Sequence, residues 1–194
     1  VGLVGSEMCI RDSNTAIGHD AMKENTSGGG NTAVGNRSLS YNTTGSANSA
    51  FGKEALTNST TSMRNTAIGY YAMRAVTTGS NNTAIGKDAL MTNQTGNNNT
   101  ALGRETLFTN ILGDRNVAIG YRSLYTYDRS TSHDSYNVGV GNETLYSTTT
   151  GALNTAVGGL ALYANTTASY NTAVGYAALT ANTTGSSNVA VGYQ

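Results

Sequence analysis

Residues 65–86 read NTAIGYYAMRAVTTGSNNTAIG, so the pentapeptide NTAIG that begins at Asn65 returns at Asn82. The pattern Asn-(Thr/Ser/Val)-(Ala/Gly)-(apolar)-Gly recurs eleven times between Asn14 and Gly192. Every complete module has the same 17-residue length, except for one 21-residue unit between Asn116 and Asn137. A fixed period of this kind indicates a repeat architecture, in which each module packs against the next one.

We number each module from its Asn, which is position zero. The Asn residues at this position are Asn14, Asn31, Asn48, Asn65, Asn82, Asn99, Asn116, Asn137, Asn154, Asn171 and Asn188. Position four is glycine in every module, at Gly18, Gly35, Gly52, Gly69, Gly86, Gly103, Gly120, Gly141, Gly158, Gly175 and Gly192. Position three is always a large apolar residue and position eight is always Leu or Met. We predict that the Asn and Gly columns are structural.

The length of the module selects the fold class. A helix pair needs more than about 30 residues and a propeller blade about 40, so a 17-residue module is too short for either. Short strands separated by Gly and Asn turns fit the pattern. The sequence therefore predicts an all-β fold, a parallel β-solenoid of eleven 17-residue coils.

Physical chemistry assigns a role to several positions. Glycine at position four would supply a positive φ or allow a close backbone approach. Asparagine at position zero tolerates the left-handed region, and stacked Asn side chains can form an amide ladder. We expect positions five and six, for example Lys53 and Glu54, to form a solvated corner.

The strand at positions one to four predicts an oligomer. Alternate residues of a strand point to opposite faces, and neither face carries a charged residue in any module. Strands that are uncharged on both faces are usually buried on both. One face can be buried inside its own coil, and the other then needs a partner chain. A monomeric solenoid with one weakly packed face is the alternative.

Composition narrows the function classes. Charged residues make up 11% of the chain and the formal net charge is zero. We therefore expect neither nucleic acid nor a membrane surface as a partner. No apolar run approaches the roughly 18 residues of a membrane span, so we expect no direct membrane insertion by this segment.

Residues 1–13, VGLVGSEMCIRDS, lack the repeat pattern. They are similar to the in-frame translation of a sequencing-library adapter, so we treat them as non-native and exclude them from fold reasoning. The alternative is a genuine capping segment. The single cysteine, Cys9, lies here, which leaves the repeat region 14–194 without a disulfide framework.

An enzyme is not expected. The two histidines, His19 and His133, lie in different kinds of position without a recurring metal-ligand spacing. The glycines form neither a dinucleotide-binding nor a phosphate-binding loop. We therefore expect no catalytic residues, no cofactor and no metal.

The 21-residue unit, 116–136, is the single irregularity of the repeat. Its extra residues concentrate side chains that favour interfaces, and we predict a candidate recognition loop comprising Tyr125, Tyr127, Asp128, Arg129, His133, Asp134 and Tyr136. A tolerated surface insertion is the alternative. Tyr70, Tyr121, Tyr176 and Tyr193 at position five are a weaker candidate surface.

The Asn-Thr-Ala-Val-Gly modules, followed by Ala-Leu, resemble the YadA-like head repeats of trimeric autotransporter adhesins over residues 14–194. Similar repeats occur in phage tail-fibre-like proteins. The resemblance implies a left-handed parallel β-roll, a homotrimer, and an extracellular location on the cell surface, held at the outer membrane through other regions, or on a virion. The module is somewhat longer than usual for the family, and no neck, stalk or anchor is present in these residues.

The resemblance implies an adhesive or structural fibre segment that mediates attachment to cells or surfaces. A phage tail-fibre spacer is the alternative within the same fold. Ice binding is an alternative of another class, because Thr recurs at position one and in pairs such as Thr43-Thr44 and Thr183-Thr184. Val117 and Val138 interrupt the Thr column, which counts against ice.

Overall fold

A computed structural model describes residues 13–128 and 134–194 of the chain. Within them, one three-residue strand forms at each Asn-x-x-x-Gly motif and there is no helix. The strands are β1 (Thr15–Ile17), β2 (Thr32–Val34), β3 (Ser49–Phe51), β4 (Thr66–Ile68), β5 (Thr83–Ile85), β6 (Thr100–Leu102), β7 (Val117–Ile119), β8 (Val138–Val140), β9 (Thr155–Val157), β10 (Thr172–Val174) and β11 (Val189–Val191).

The strands form one parallel sheet in chain order from β1 to β11. Each residue pairs with its counterpart one module later, as Ala84 does with Ala101. The 21-residue unit keeps this register, because Val117 pairs with Val138. The predicted all-β parallel solenoid is confirmed. It has about ten turns, since the eleventh motif supplies only β11 and the short segment after it.

Small residues at position two form the interior column of the sheet. Ala33, Ala50, Ala67, Ala84, Ala101, Ala118, Ala156 and Ala173 are fully buried. They pack with the Leu and Met side chains of position eight, such as Leu56, Met73 and Leu90, which are also fully buried. The coil is thin because its sheet contributes only a methyl group per turn to the core.

The glycines of position four perform both predicted roles. Gly86 has a φ of 137°, and a Cβ added there would lie 2.5 Å from the carbonyl oxygen of Gly103. Backbones of successive coils therefore meet where no side chain fits.

Three further positions of each module adopt positive φ with ordinary side chains. Position six (Asp88, φ 57°), position eight (Leu90, φ 53°) and position sixteen (Asn98, φ 57°) are left-handed. None of these positions carries a β-branched residue in any described module, because such residues are the least tolerant of this conformation. The restriction of position eight to Leu and Met thus has a backbone cause as well as a packing cause.

The Asn column is confirmed as a ladder, but not as a left-handed turn. No Asn of position zero has positive φ; the residue before it does. The Asn82 side chain accepts from the Asn99 backbone N–H at 2.9 Å and donates to the Gly96 carbonyl at 2.8 Å. In addition, Nδ2 of Asn82 lies 3.2 Å from Oδ1 of Asn65. Each Asn therefore joins two coils and also closes its own.

Candidate functional site

The outer face of the sheet is the first candidate surface. It consists of the side chains of positions one and three, because position two points inward. The residues Ile17, Phe51, Ile68, Ile85, Ile119, Val157, Val174 and Val191 at position three are exposed, whereas Val34, Leu102 and Val140 are half-buried. The large apolar residues of the motif therefore lie on the outside of the coil, and the sequence alone could not decide this.

This apolar column continues along the whole sheet. In mid-rod, Ile85 is 38% and Ile119 is 37% exposed. Stacked coils lie about 4.8 Å apart, so eleven strands extend the column over roughly 50 Å. Position one adds Thr, Ser or Val beside it, and no charge interrupts either column. A continuous exposed apolar strip of this length is typical of a protein–protein interface.

The expected solvated corner is only half correct. Position five is exposed at Lys53, Lys87 and Arg104. At position six, however, the acidic side chains of Glu54, Asp88 and Glu105 are buried. Glu54 pairs with Arg74 at 2.9 Å, and Asp88 pairs with Lys87 at 3.4 Å. Left-handed backbone at position six turns these carboxylates against the rod.

Glu105 is the most strongly connected of these carboxylates. Its two oxygens accept from Nε of Arg122 at 2.6 Å and Nε of Arg104 at 2.8 Å. The Arg122 hydrogen bond, aided by Arg104, holds the pKa of the Glu105 carboxyl below its usual value although burial opposes this. One buried carboxylate thus fixes two arginines from successive coils, the exposed Arg104 and the half-buried Arg122.

An aromatic stack runs along position nine of four successive coils. The ring centroids of Phe108, Tyr125, Tyr146 and Tyr163 are separated by 5.2, 5.3 and 5.1 Å, with interplanar angles of at most 13°. The rings are half-buried and face one another, so they present their edges to solvent. Numbering the modules shows aromatic residues at the same position in successive coils, and this signal could have predicted the stack.

The tyrosines of position five do not form one column. Tyr176 stacks on Tyr193 at 5.7 Å, whereas Tyr70 stacks on its neighbour Tyr71 at 3.8 Å. The hydrogen bond with Tyr71 and desolvation raise the pKa of Tyr70 to about 12.

The residues of the candidate recognition loop lie in different environments in the structure. Tyr127 is fully buried in the core, and Tyr125 belongs to the aromatic stack. Asp134 pairs with Arg115, which also lies 5.3 Å from the exposed ring of Tyr136.

Asp128 is half-buried and donates its backbone N–H to the Thr149 carbonyl at 3.1 Å. Arg129 and His133 lie outside the described residues, as does Cys9. Of the predicted loop residues, the structure thus brings Asp134 and Tyr136 together around Arg115, and it places Tyr127 in the core.

No group of three or more His, Cys, Asp or Glu residues in 13–128 and 134–194 is arranged to hold a metal ion. Over the same residues, no helix is long and apolar enough to cross a bilayer.

The Thr pairs do not form a free two-column array. In the pairs from Thr43-Thr44 to Thr166-Thr167, the first Thr donates its hydroxyl to the backbone of the next coil, as Thr43 does to the Thr60 carbonyl at 2.9 Å and Thr60 to the Thr77 carbonyl at 3.1 Å. Only the second Thr, such as Thr44 or Thr78, is exposed with no such bond. An ice-binding surface would need both columns, so this geometry disfavours that alternative.

Comparison of the chain with protein-family models, with curated proteins and with solved structures finds no match in any of the three.

Proposed function

We propose that this chain is a segment of an extracellular structural and adhesive fibre, in which three copies pack through the outer face of the sheet. The observation that carries the proposal is the continuous apolar column of position three, of which Ile85 and Ile119 are central members. In a single chain this column stays in water, and a thin coil with an alanine interior leaves little other apolar surface to bury.

The repeat itself supports a fibre. Strand pairing is in register from β1 to β11, so identical side chains stand in straight columns over the whole length. The same straight columns on three copies can pack against one another along their whole length without a change of register. The surface of a globular domain has no such repeated columns. The resemblance to adhesin head repeats and tail-fibre-like repeats favours the same assembly and a location on a cell surface or a virion.

Sedimentation equilibrium of the full chain at micromolar concentration tests the assembly. We expect three times the mass of the 20.0 kDa chain. The double variant Ile85→Lys with Ile119→Lys should remain β-rich by circular dichroism and sediment as a monomer, because six charges would enter the trimer interface. The matched control, Thr44→Lys with Thr78→Lys, places the same charges on an exposed column elsewhere and should stay trimeric. A monomeric wild-type chain would refute the trimer.

Adhesion is tested separately. Beads coupled to the wild-type chain should be retained by cultured cell monolayers more than uncoated beads. Equal retention would remove the adhesive part of the proposal and leave the structural part standing.

A further inference from the structure

Six successive coils each present one cation along a single edge of the rod, at positions five, six and nine. These residues are Arg37, Lys53, Arg74, Lys87, Arg104 and Arg122, and we call them the basic edge. In the coil before them Lys23 is paired with Asp20 of the same coil, and the coil after them carries Glu143, so these two coils bound the edge. With coils about 4.8 Å apart, the six cations extend over roughly 24 Å.

The edge has a surplus of positive charge, although the whole chain has a net charge of zero. At these positions in the six coils there are six cations and three carboxylates, Glu54, Asp88 and Glu105, which leaves three positive charges. Arg37 and Lys53 make no ion pair with a described residue, and Arg104 and Arg122 share a single carboxylate.

The charges are also separated by depth. The Glu54, Asp88 and Glu105 side chains are 9 to 12% exposed, whereas their partners Arg74, Lys87, Arg104 and Arg122 are 32 to 56% exposed. The carboxylates lie beneath and the cations lie on the surface, so an approaching molecule meets the positive groups first. Fixed by these ion pairs, the cations lose little side-chain freedom when they bind.

Two tyrosines hold the cations in line. Lys53 and Lys87 lie 5.7 and 5.9 Å from the ring centroid of Tyr70. Arg104 and Arg122 lie 5.6 and 4.9 Å from that of Tyr121. Because these Lys and Arg side chains already cover the two rings, the edge offers no free aromatic platform on which nucleic-acid bases could stack.

We propose that the basic edge binds a linear sulfated polysaccharide, which lies along the rod with its anionic groups on successive coils. A linear polyanion matches a straight row of one cation per coil, and arginine pairs well with flat or tetrahedral oxyanions. The lack of free aromatic faces favours a sugar polymer over single-stranded nucleic acid. This inference rests on the proposed function in one respect only, because an extracellular location is where the chain would encounter such a polysaccharide.

The test is affinity chromatography of the full chain on immobilised heparin, with a salt gradient. We expect retention at low salt, weaker retention on unsulfated hyaluronan, and weaker binding still to single-stranded DNA. The double variant Arg37→Gln with Lys53→Gln should bind heparin about tenfold more weakly. In a plot of the logarithm of its affinity against the logarithm of salt concentration, the slope should be shallower than that of the wild type by about two.

The control is Arg64→Gln with Arg115→Gln, which removes the same charge from position sixteen on another part of the module. Melting curves should show that both double variants fold, and a variant that does not fold is replaced by the corresponding single variants. If the two variants weaken binding equally, or if the wild type is not retained, the basic edge is not a polyanion site. A preference for single-stranded DNA overturns the ligand class. Because oligomeric state is measured separately, a monomer that binds heparin refutes the trimer alone, and a trimer that does not bind refutes only this inference.

Discussion

Oδ1 of Asn65 accepts a hydrogen bond of 2.9 Å from the backbone N–H of Asn82, its counterpart one coil further along. The same contact recurs between Asn82 and Asn99, also at 2.9 Å. Because the residue before each Asn is left-handed, this N–H points along the rod and not into the strand ladder. The side-chain amide therefore replaces a backbone acceptor at the corner where the sheet begins.

Asn82→Ala should lower the unfolding free energy by about 1–3 kcal/mol. The substitution leaves the buried Asn99 N–H without its acceptor, and it removes one of the two side-chain donors to the Gly96 carbonyl, which keeps Asn93. Urea denaturation followed by circular dichroism measures it. Asn58→Ala, at an exposed position two coils earlier, is the control and should change stability by less than about 0.5 kcal/mol. Equal effects of the two variants would contradict the role of the ladder.

Leu90→Ile should destabilise the rod by about 1–3 kcal/mol although it conserves side-chain volume. Leu90 is fully buried at a φ of 53°, where a β-branched side chain is strained. Leu90→Met should be nearly neutral, because Met73 occupies the equivalent site one coil earlier. Thermal melts of the three proteins compare them directly. If the isoleucine variant melts with the wild type, the backbone explanation of position eight is wrong.

Ala84→Asp should abolish folding of the central coils, because it places a carboxylate in a fully buried site whose neighbours are alanine methyl groups. Thr83→Asp, one residue earlier on the outer face, should keep the chain β-rich. Far-ultraviolet circular dichroism and limited proteolysis separate the outcomes. A folded Ala84→Asp protein would mean that the alanine column does not face the interior.

The contribution of Glu105 to stability should depend on pH. Its folded pKa is lowered, so the contribution is complete above the ordinary value of 4.5 and is lost as pH falls through the lower folded value. Glu105→Gln should therefore cost about 1 kcal/mol at pH 7 and progressively less below pH 4.5. Melting temperatures across this range measure the difference. Glu24→Gln, which removes an exposed carboxylate, is the matched control.

The candidate sites were less predictable than the fold. Tyr127 and Tyr136 looked alike in the irregular unit, yet one is fully buried and the other is exposed beside Arg115. The repeat pattern does not reveal the basic edge, because its cations occupy three different positions of the module. Only the left-handed turns at positions six and eight bring those positions to one side of the rod.

The 17-residue period, the glycine of position four and the Asn column determined the stacked parallel coil from sequence alone, because each recurs along the whole repeat. The tertiary structure decided which face of the strand points inward. The coil is too narrow for a β-branched side chain beside Leu90, so the alanine of position two is buried and Ile85 is left outside. The alternation of side chains along a strand establishes that the sheet has two faces, but only the width of the closed coil determines which face lies inside.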